Sequence, residues 1–426
     1  MEPPAEEMVV EVHDTSHLPG SLTTDKLSYE IFSILESKFL FGYTTNHPDF
    51  LHVPRNLSPV SSPPKPSRRK VCILSIDGAG LRCIVAAKAL AQLESSLQSI
   101  SGNAYARISD FFDLVAGSGS GGVLAGMLLK PEKAFRPDDM WRFLVERAPL
   151  LFPKPNKLKS FFSKNPLKAS TSAMEKTMKE AFGEDASLRD TIKPLLVPCY
   201  NLNTSGPFVF SRADAVESES FNFRLWEVGR ATWAEPGRFE PAPVRSCNGS
   251  ESCFATSCHV MSNPCAVGIT HVLNNKMEFP FVRGVEDLLV LSIGCGCMES
   301  CKSVEVDLRK VRKWEADKWA HPVARVVSDG AADIVDQSVA MAFGQCQSSG
   351  YVRIQGNCSS TGIMGADVDC DPRPENINTL QRAAEDMLRQ KHVSSVLFKG
   401  KRVGERSNME MLDMFARELV LEHNRF

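Results

Sequence analysis

Residues 114–122 read LVAGSGSGG, and the apolar stretch VLAGMLL follows from Val123. A short apolar run that breaks into small residues and resumes as a longer one is the layout of a strand, a tight turn and a helix. The pattern G-x-S-x-G on such a turn exposes a serine on strained backbone, where its oxygen can attack an acyl carbon. With the outer glycines set on Gly117 and Gly121, the crest of the turn is Gly119. A glycine keeps the shape of the turn but offers no atom to be acylated. Ser118 and Ser120 flank it, and neither has a glycine both two residues before and two residues after. A shifted turn would be needed to present either hydroxyl. The plain alternative is a small-residue turn that joins a core strand to its helix.

A second glycine-rich turn precedes it. SIDGAGLR, residues 75–82, ends an apolar, β-branched run. Gly78 and Gly80 permit close backbone approach, and a helix starting there aims its free N–H groups back at the turn. Such a nest can cradle a phosphate or a developing oxyanion. Arg82 adds positive charge nearby. A bare strand-to-helix turn would read the same way. A dinucleotide loop is the weaker reading, because Cys83 stands where the last glycine of G-x-G-x-x-G belongs and no acidic partner for a ribose is evident.

These turns need elements to hold them. VCILSI (71–76) reads as a strand and 81–100 as a helix, with apolar residues at 90, 93, 97 and 100. FFDLVAG is the next strand, followed by the turn and the VLAGMLL helix. Strand, helix, strand, helix within about 60 residues predicts a three-layer α/β/α domain with a mostly parallel central sheet. Further strands are expected at 195–202, 208–212 and 287–294, and helices at 304–319, 331–343, 377–390 and 407–421. The expected organisation has three parts. Residues 1–67 form a flexible N-terminus with an amphipathic helix over 24–41 and a Pro/Ser/Asn-rich linker. Residues 68–300 form the α/β domain. Residues 301–426 form a helical C-terminal extension with a polar loop over 345–376.

The chain has 426 residues, 43% of them hydrophobic and 23% charged, with a formal net charge of −2. That balance gives no global attraction to nucleic acid. The acidic start MEPPAEEMVVEVHD is not a secretory signal, and no stretch reaches the roughly 18 apolar residues a membrane span needs. Thirteen scattered cysteines, an odd number, read as reduced thiols. A cytoplasmic protein, peripheral at the plasma membrane or other intracellular membranes at most, is expected.

SIDGAGLR, the GSGSGG turn about 40 residues on, LLVPCYNLNTSGPFVFSRADA (195–215), GRATWAEPGRFEP (229–241), SNP (262–264) and LLVLSIG (288–294) together resemble the patatin-like phospholipase family. The resemblance covers about residues 70–300. It implies a lipid acyl hydrolase fold with a serine–aspartate dyad, an oxyanion loop of the form DGGGxR, and no cofactor. On this chain the loop corresponds to Gly78, Ala79, Gly80, Leu81 and Arg82, with Ala79 in place of a glycine. The serine position is Gly119. The family's aspartate, counted back from Asn263 and Pro264, falls at Thr256. Neither dyad position holds its usual residue. The elbow, the 24–41 helix and the C-terminal extension also resemble a divergent plant branch whose elbow reads G-x-G-x-G. That likeness implies a weak, non-specific lipolytic acyl hydrolase acting on phospholipids and galactolipids to release fatty acids. The alternative is an inactive protein that binds lipid or membrane and regulates.

Other groups could also carry chemistry. Asp329, in SDGAAD, has the local look of a DGA motif but follows the last core strand; an N-cap or surface carboxylate is the alternative. His259 and Asp113 are candidates to activate water, read otherwise as a loop residue and a core-strand residue. Cys295, Cys297 and Cys301 lack zinc-ligand spacing, as do Cys346, Cys358 and Cys370, so no metal is expected. The lysine-rich 148–175 stretch reads as an insertion, with Phe152, Phe161 and Phe162 among Lys154, Lys157, Lys159, Lys164 and Lys168. It suits an anionic lipid surface or a solvated loop whose phenylalanines pack back on the domain.

Overall fold

The computed structural model describes residues 69–153, 166–296, 312, 314–345, 350–356, 368–396 and 400–425. The helix expected at 24–41 and its linker lie outside them, as do Phe161 and Phe162. The central strand is β1, Val71–Ile76, paired in parallel with β2, Leu114–Gly117, on one side and β7, Leu288–Ile293, on the other. Its side chains alternate between two cores, as a strand buried on both faces requires. Cys72, Leu74 and Ile76 belong to one apolar cluster and Ile73 to the other.

The first face is covered by α1, Cys83–Ser101, and α2, Ser120–Leu129. Every residue of α2 is buried, so VLAGMLL is a core helix without a polar side. The helices α3, Pro137–Leu151, α4, Pro166–Phe182, and α5, Leu225–Trp233, extend this layer. The opposite face packs Cys265, Ile269 and Val272 of α6, Cys265–Asn274, together with Val339 and Phe343 of α7, Ala316–Gln345. The expected three-layer α/β/α arrangement and mostly parallel sheet are therefore present.

The sheet runs β5–β6–β3–β2–β1–β7–β8, with β4 also on β3. Here β3 is Leu195–Asn201, β4 Gly206–Ser211, β5 Ala242–Arg245, β6 Ser252–Thr256 and β8 Tyr351–Ile354. β4 and β6 run antiparallel to β3, and β5 antiparallel to β6. Past residue 300, helices α8, Pro374–Arg389, and α9, Asn408–His423, match expectation. Three strands stand among them that periodicity did not reveal. β8 joins the central sheet beside β7, and β9, Lys391–Val396, pairs with β10, Gly400–Ser407, as a separate ribbon. Four- to eight-residue strands give too few residues for a period to stand out.

Candidate active site

The register along β3 explains where the elbow opens. β4 occupies one edge of β3 from Leu196 to Asn201. β2 takes the other edge only at Leu195 and Leu196, and β6 takes it again at Tyr200 and Asn201. β2 and β6 run in opposite directions, so their C-terminal ends face each other across a gap opposite residues 197–199. From Leu196 to Tyr200 that gap spans about 13 Å of strand. Gly119 closes one side of it and Thr256 the other.

The end of α5 fills the gap. The amide of Gly119 donates to Thr232 Oγ1 at 2.9 Å, and that hydroxyl donates to the Pro198 carbonyl at 3.1 Å. The Ala234 carbonyl accepts the Thr256 hydroxyl and, at 3.1 Å, the amide of Ser257. Two residues of one helix end thus hold both positions at which a dyad would stand. Thr256 is buried, and its hydroxyl is spent on this structural bond.

Gly119 has φ +56° and ψ −134°, backbone that a side chain enters only under strain. It caps α2 and leaves the crest open. A Cβ built there would meet nothing closer than the Gly78 carbonyl oxygen at 3.5 Å. Its neighbours have no such room. A Cβ on Gly117 would stand 2.5 Å from the Gly121 carbonyl oxygen, one on Gly121 2.4 Å from that of Asp77, and one on Gly78 2.0 Å from that of Ser118. These glycines let two backbones touch; Gly119 does not need to be glycine for that reason. Ser118 is 4% exposed, and Ser120 is wholly buried in the first turn of α2, facing the Cys83 thiol.

The glycine loop lies directly beneath. Asp77 is followed by Gly78 and Ala79, then a single 3-10 turn over Gly80–Arg82 that leads into α1. Gly80 is left-handed, φ +49°, and a Cβ there would strike the Asp369 carbonyl oxygen at 2.3 Å. That carbonyl accepts the Leu81 amide at 2.9 Å. The Arg82 guanidinium grips the Asp369 carboxylate with two bonds, 2.6 and 3.0 Å, and reaches the Gly296 carbonyl at 3.0 Å. An amide of the loop is therefore already occupied by a peptide carbonyl from the C-terminal region.

Two charged groups not singled out in the sequence complete the surroundings. Glu235 follows Ala234 and pairs with Arg238 at 3.0 Å. Loss of hydration pushes its carboxyl up to about 7; Arg238 and Arg82 oppose the rise and Asp369 adds to it. A carboxylate poised near neutrality is suited to general-base work. Arg353 of β8 clasps Asp77 through both guanidinium nitrogens, donates to Ser292 Oγ at 2.7 Å, and lies 3.3 Å from Asp336 of α7. Asp336 in turn accepts from Asn263 of the SNP segment at 2.6 Å. Burial works against the Arg353 charge, but Asp336 and Asp77 outweigh it and hold its pKa above the ordinary arginine value. The C-terminal region thereby neutralises the aspartate that opens the glycine loop.

The remaining candidates lie elsewhere. Asp113 is at the opposite end of β2 from the crest; its carboxylate takes the Arg69 guanidinium at 2.9 Å and the Cys72 amide at 2.8 Å, so it staples the strand bases. His259 begins a short turn packed on α7, and burial lowers its pKa. Asp329 lies within α7, so SDGAAD is helical and not a turn. Phe152 packs back into the core, 6.4 Å from the Trp233 ring and 5.9 Å from that of Phe239. For Phe152 the alternative in which the phenylalanines pack back on the domain holds. Cys295 is buried with its thiol on the Asp77 carbonyl; Cys297, Cys301, Cys346 and Cys358 lie outside the described residues. Among the described residues no group of three or more ligating side chains converges on a metal position.

Thr232 and Glu235 sit in GRATWAEPGRFEP, a stretch the sequence marked as a family likeness without giving either residue a task. Arg353 had a signal of its own, a lone charge inside the apolar YVRI. Asp369 had none, since its partner Arg82 is 287 positions away.

A mostly parallel sheet with a glycine-built elbow after a central strand, above a glycine loop that opens a helix, is an architecture that acyl hydrolases use. The family model described as patatin-like phospholipase matches residues 74–255. Patatin-like protein 7 of Arabidopsis thaliana is 53% identical over 411 residues, covering 95% of this chain and 82% of that protein. Patatin-like protein 6 of the same plant is 50% identical over 440 residues, covering 95% and 85%. A relative named "Probable inactive patatin-like protein 9", also from Arabidopsis thaliana, is 39% identical over 405 residues, covering 93% and 92%. The chain belongs to the patatin-like phospholipase family.

Proposed function

We propose that this protein is a lipid acyl hydrolase of low activity, which releases fatty acids from phospholipids and galactolipids by direct attack of water. The supporting observation is the Glu235 carboxyl, held near 7 next to the helix end that joins Gly119 to Thr256. Without a serine at the crest there is no acyl-enzyme. Water attacks the ester carbonyl and gives its proton to Glu235. The oxyanion is held by amides of the 78–82 loop with Arg82 beside it. Collapse breaks the acyl–oxygen bond, and the departing alkoxide takes the proton back from Glu235. Losing the nucleophile removes several powers of ten in rate, but positioning and oxyanion stabilisation leave a remainder above the reaction in water.

A specific observation favours a second reading, a protein that holds lipid without turnover. The Asp369 carbonyl occupies the Leu81 amide, and an ester oxygen must displace it. Purified full-length protein incubated with labelled phosphatidylcholine and with labelled galactolipid separates the two. The hydrolase reading expects slow release of fatty acid that is unaffected by Ser118→Ala plus Ser120→Ala. Lipid binding with no release above the buffer blank establishes the second reading instead. Peripheral docking on an intracellular membrane from the cytoplasm belongs to the proposal under either reading.

A further inference from the structure

On the far side of α5 from Thr232, Arg230 is 6% exposed and makes no hydrogen bond or ion pair with any described residue; its Nε is buried without a partner. A buried guanidinium left unpaired is costly and uncommon. The carboxylates around it are used elsewhere or stand too far off. Glu175 pairs with Lys179 at 3.1 Å, and Glu227 takes the Arg245 amide at 2.8 Å and lies 3.9 Å from Arg224. Glu175, Glu240 and Glu227 favour the Arg230 charge from a distance, while burial lowers its pKa.

Arg230 lines a cleft of about 660 Å³ whose walls also carry Arg224, Arg245, Trp226 and the carboxylates Glu175 and Glu227. No residue of the elbow or of the glycine loop lines it. We infer that this cleft is a binding site for a phosphate group, with Arg230 as its anchor and Arg224 and Arg245 at its rim. Three guanidinium groups share the cleft with two carboxylates, of which Glu175 is paired with Lys179 and Glu227 with the Arg245 amide and Arg224, so the Arg230 donor fork is left unmatched. A phosphate, with three or four acceptor oxygens spread in space, matches these guanidinium groups. Trp226 gives the group's organic substituent an apolar wall. The phosphate belongs either to a lipid headgroup or to a soluble phosphate. This site goes beyond the proposed hydrolysis and does not depend on it.

The test uses full-length protein. Calorimetric titration with inorganic phosphate at fixed ionic strength is run on wild type, Arg230→Gln and the exposed-rim variant Arg245→Gln. Saturable binding is expected, weakened at least tenfold by Arg230→Gln and several-fold by Arg245→Gln. Co-sedimentation with phosphatidylcholine vesicles and with phosphate-free galactolipid vesicles identifies the source. Preference for phosphatidylcholine, lost in Arg230→Gln, assigns a headgroup site; phosphate binding without vesicle preference assigns a soluble phosphate. Absence of both in wild type overturns the inference, as does full retention in Arg230→Gln. If Arg230→Gln does not fold, unchanged phosphate binding in Arg245→Gln overturns it.

Discussion

The Gly119 amide rests on the Thr232 hydroxyl, and that hydroxyl rests on the Pro198 carbonyl. The crest of the elbow is in this way tied to a helix end and to a sheet strand through one oxygen. The same helix end takes the Thr256 hydroxyl on Ala234, two residues later. One helix end therefore ties together the elbow crest and the end of β6.

This relation makes Thr232 a support of the elbow. Thr232→Val keeps the shape of the side chain but leaves the half-buried Gly119 amide and the buried Pro198 carbonyl without their partner. A loss of about 2–3 kcal/mol is expected in urea unfolding followed by circular dichroism. A loss under about 0.5 kcal/mol would show that the crest is held by something else.

The glycines of the elbow separate into two kinds. Gly121→Ala forces a Cβ to within 2.4 Å of the Asp77 carbonyl oxygen, and either no folded protein or a loss above about 3 kcal/mol is expected. Gly119→Ser has room for its Cβ and bears only the strain of positive φ, about 1–2 kcal/mol. Thermal unfolding of the two variants checks the order. Equal destabilisation would contradict it.

Arg353 carries the charge balance between β8, α7 and the glycine loop. Arg353→Met leaves Asp77 and Asp336 buried together without their cation, with an expected loss of about 3–5 kcal/mol. Combining it with Asp77→Asn and Asp336→Asn restores part of that loss. Non-additivity below about 0.5 kcal/mol in such a cycle would mean that the three groups do not act as one network.

Glu235 sets a pH dependence of stability. Its pKa is raised in the folded state, so between about 4.5 and 7 the folded chain binds a proton that the unfolded chain has released. Stability then falls as pH rises through that window, and the cost is fully present above about 7. Glu235→Gln removes the ionisation and is expected to be more stable than wild type at pH 8, on the order of 2 kcal/mol. The difference closes below about pH 4.5. Unfolding curves of both proteins across pH 4–8 check this, and a constant difference would place the ionisation elsewhere.

How far the sequence reaches is seen by following single residues. Gly117, Gly119 and Gly121 were legible because an elbow needs small residues at fixed offsets, and the structure shows close backbone contact at Gly117 and Gly121 and a left-handed backbone at Gly119. β1, β2, β3 and β7 were legible as apolar β-branched runs, since strands buried on both faces carry no polar alternation. β6 was not: SCFAT is short and half-exposed, yet it delivers Thr256 to the gap. Asp369 and Arg353 could not be assigned partners from sequence, because their ion pairs close across 287 and 276 positions. Glu235 was visible as a residue, but its raised pKa was not, since only packing takes its hydration away.

The most direct measurement is the pH profile of fatty-acid release from labelled phosphatidylcholine by wild type and Glu235→Gln, with Gly119→Ser in parallel. Slow release by wild type is expected to rise through about pH 7 as Glu235 loses its proton. A fall of at least tenfold is expected in Glu235→Gln, with a flat remainder. Gly119→Ser would show whether the pocket can still use a nucleophile. Release by Glu235→Gln at the wild-type rate and with the same pH profile would contradict water activation by Glu235.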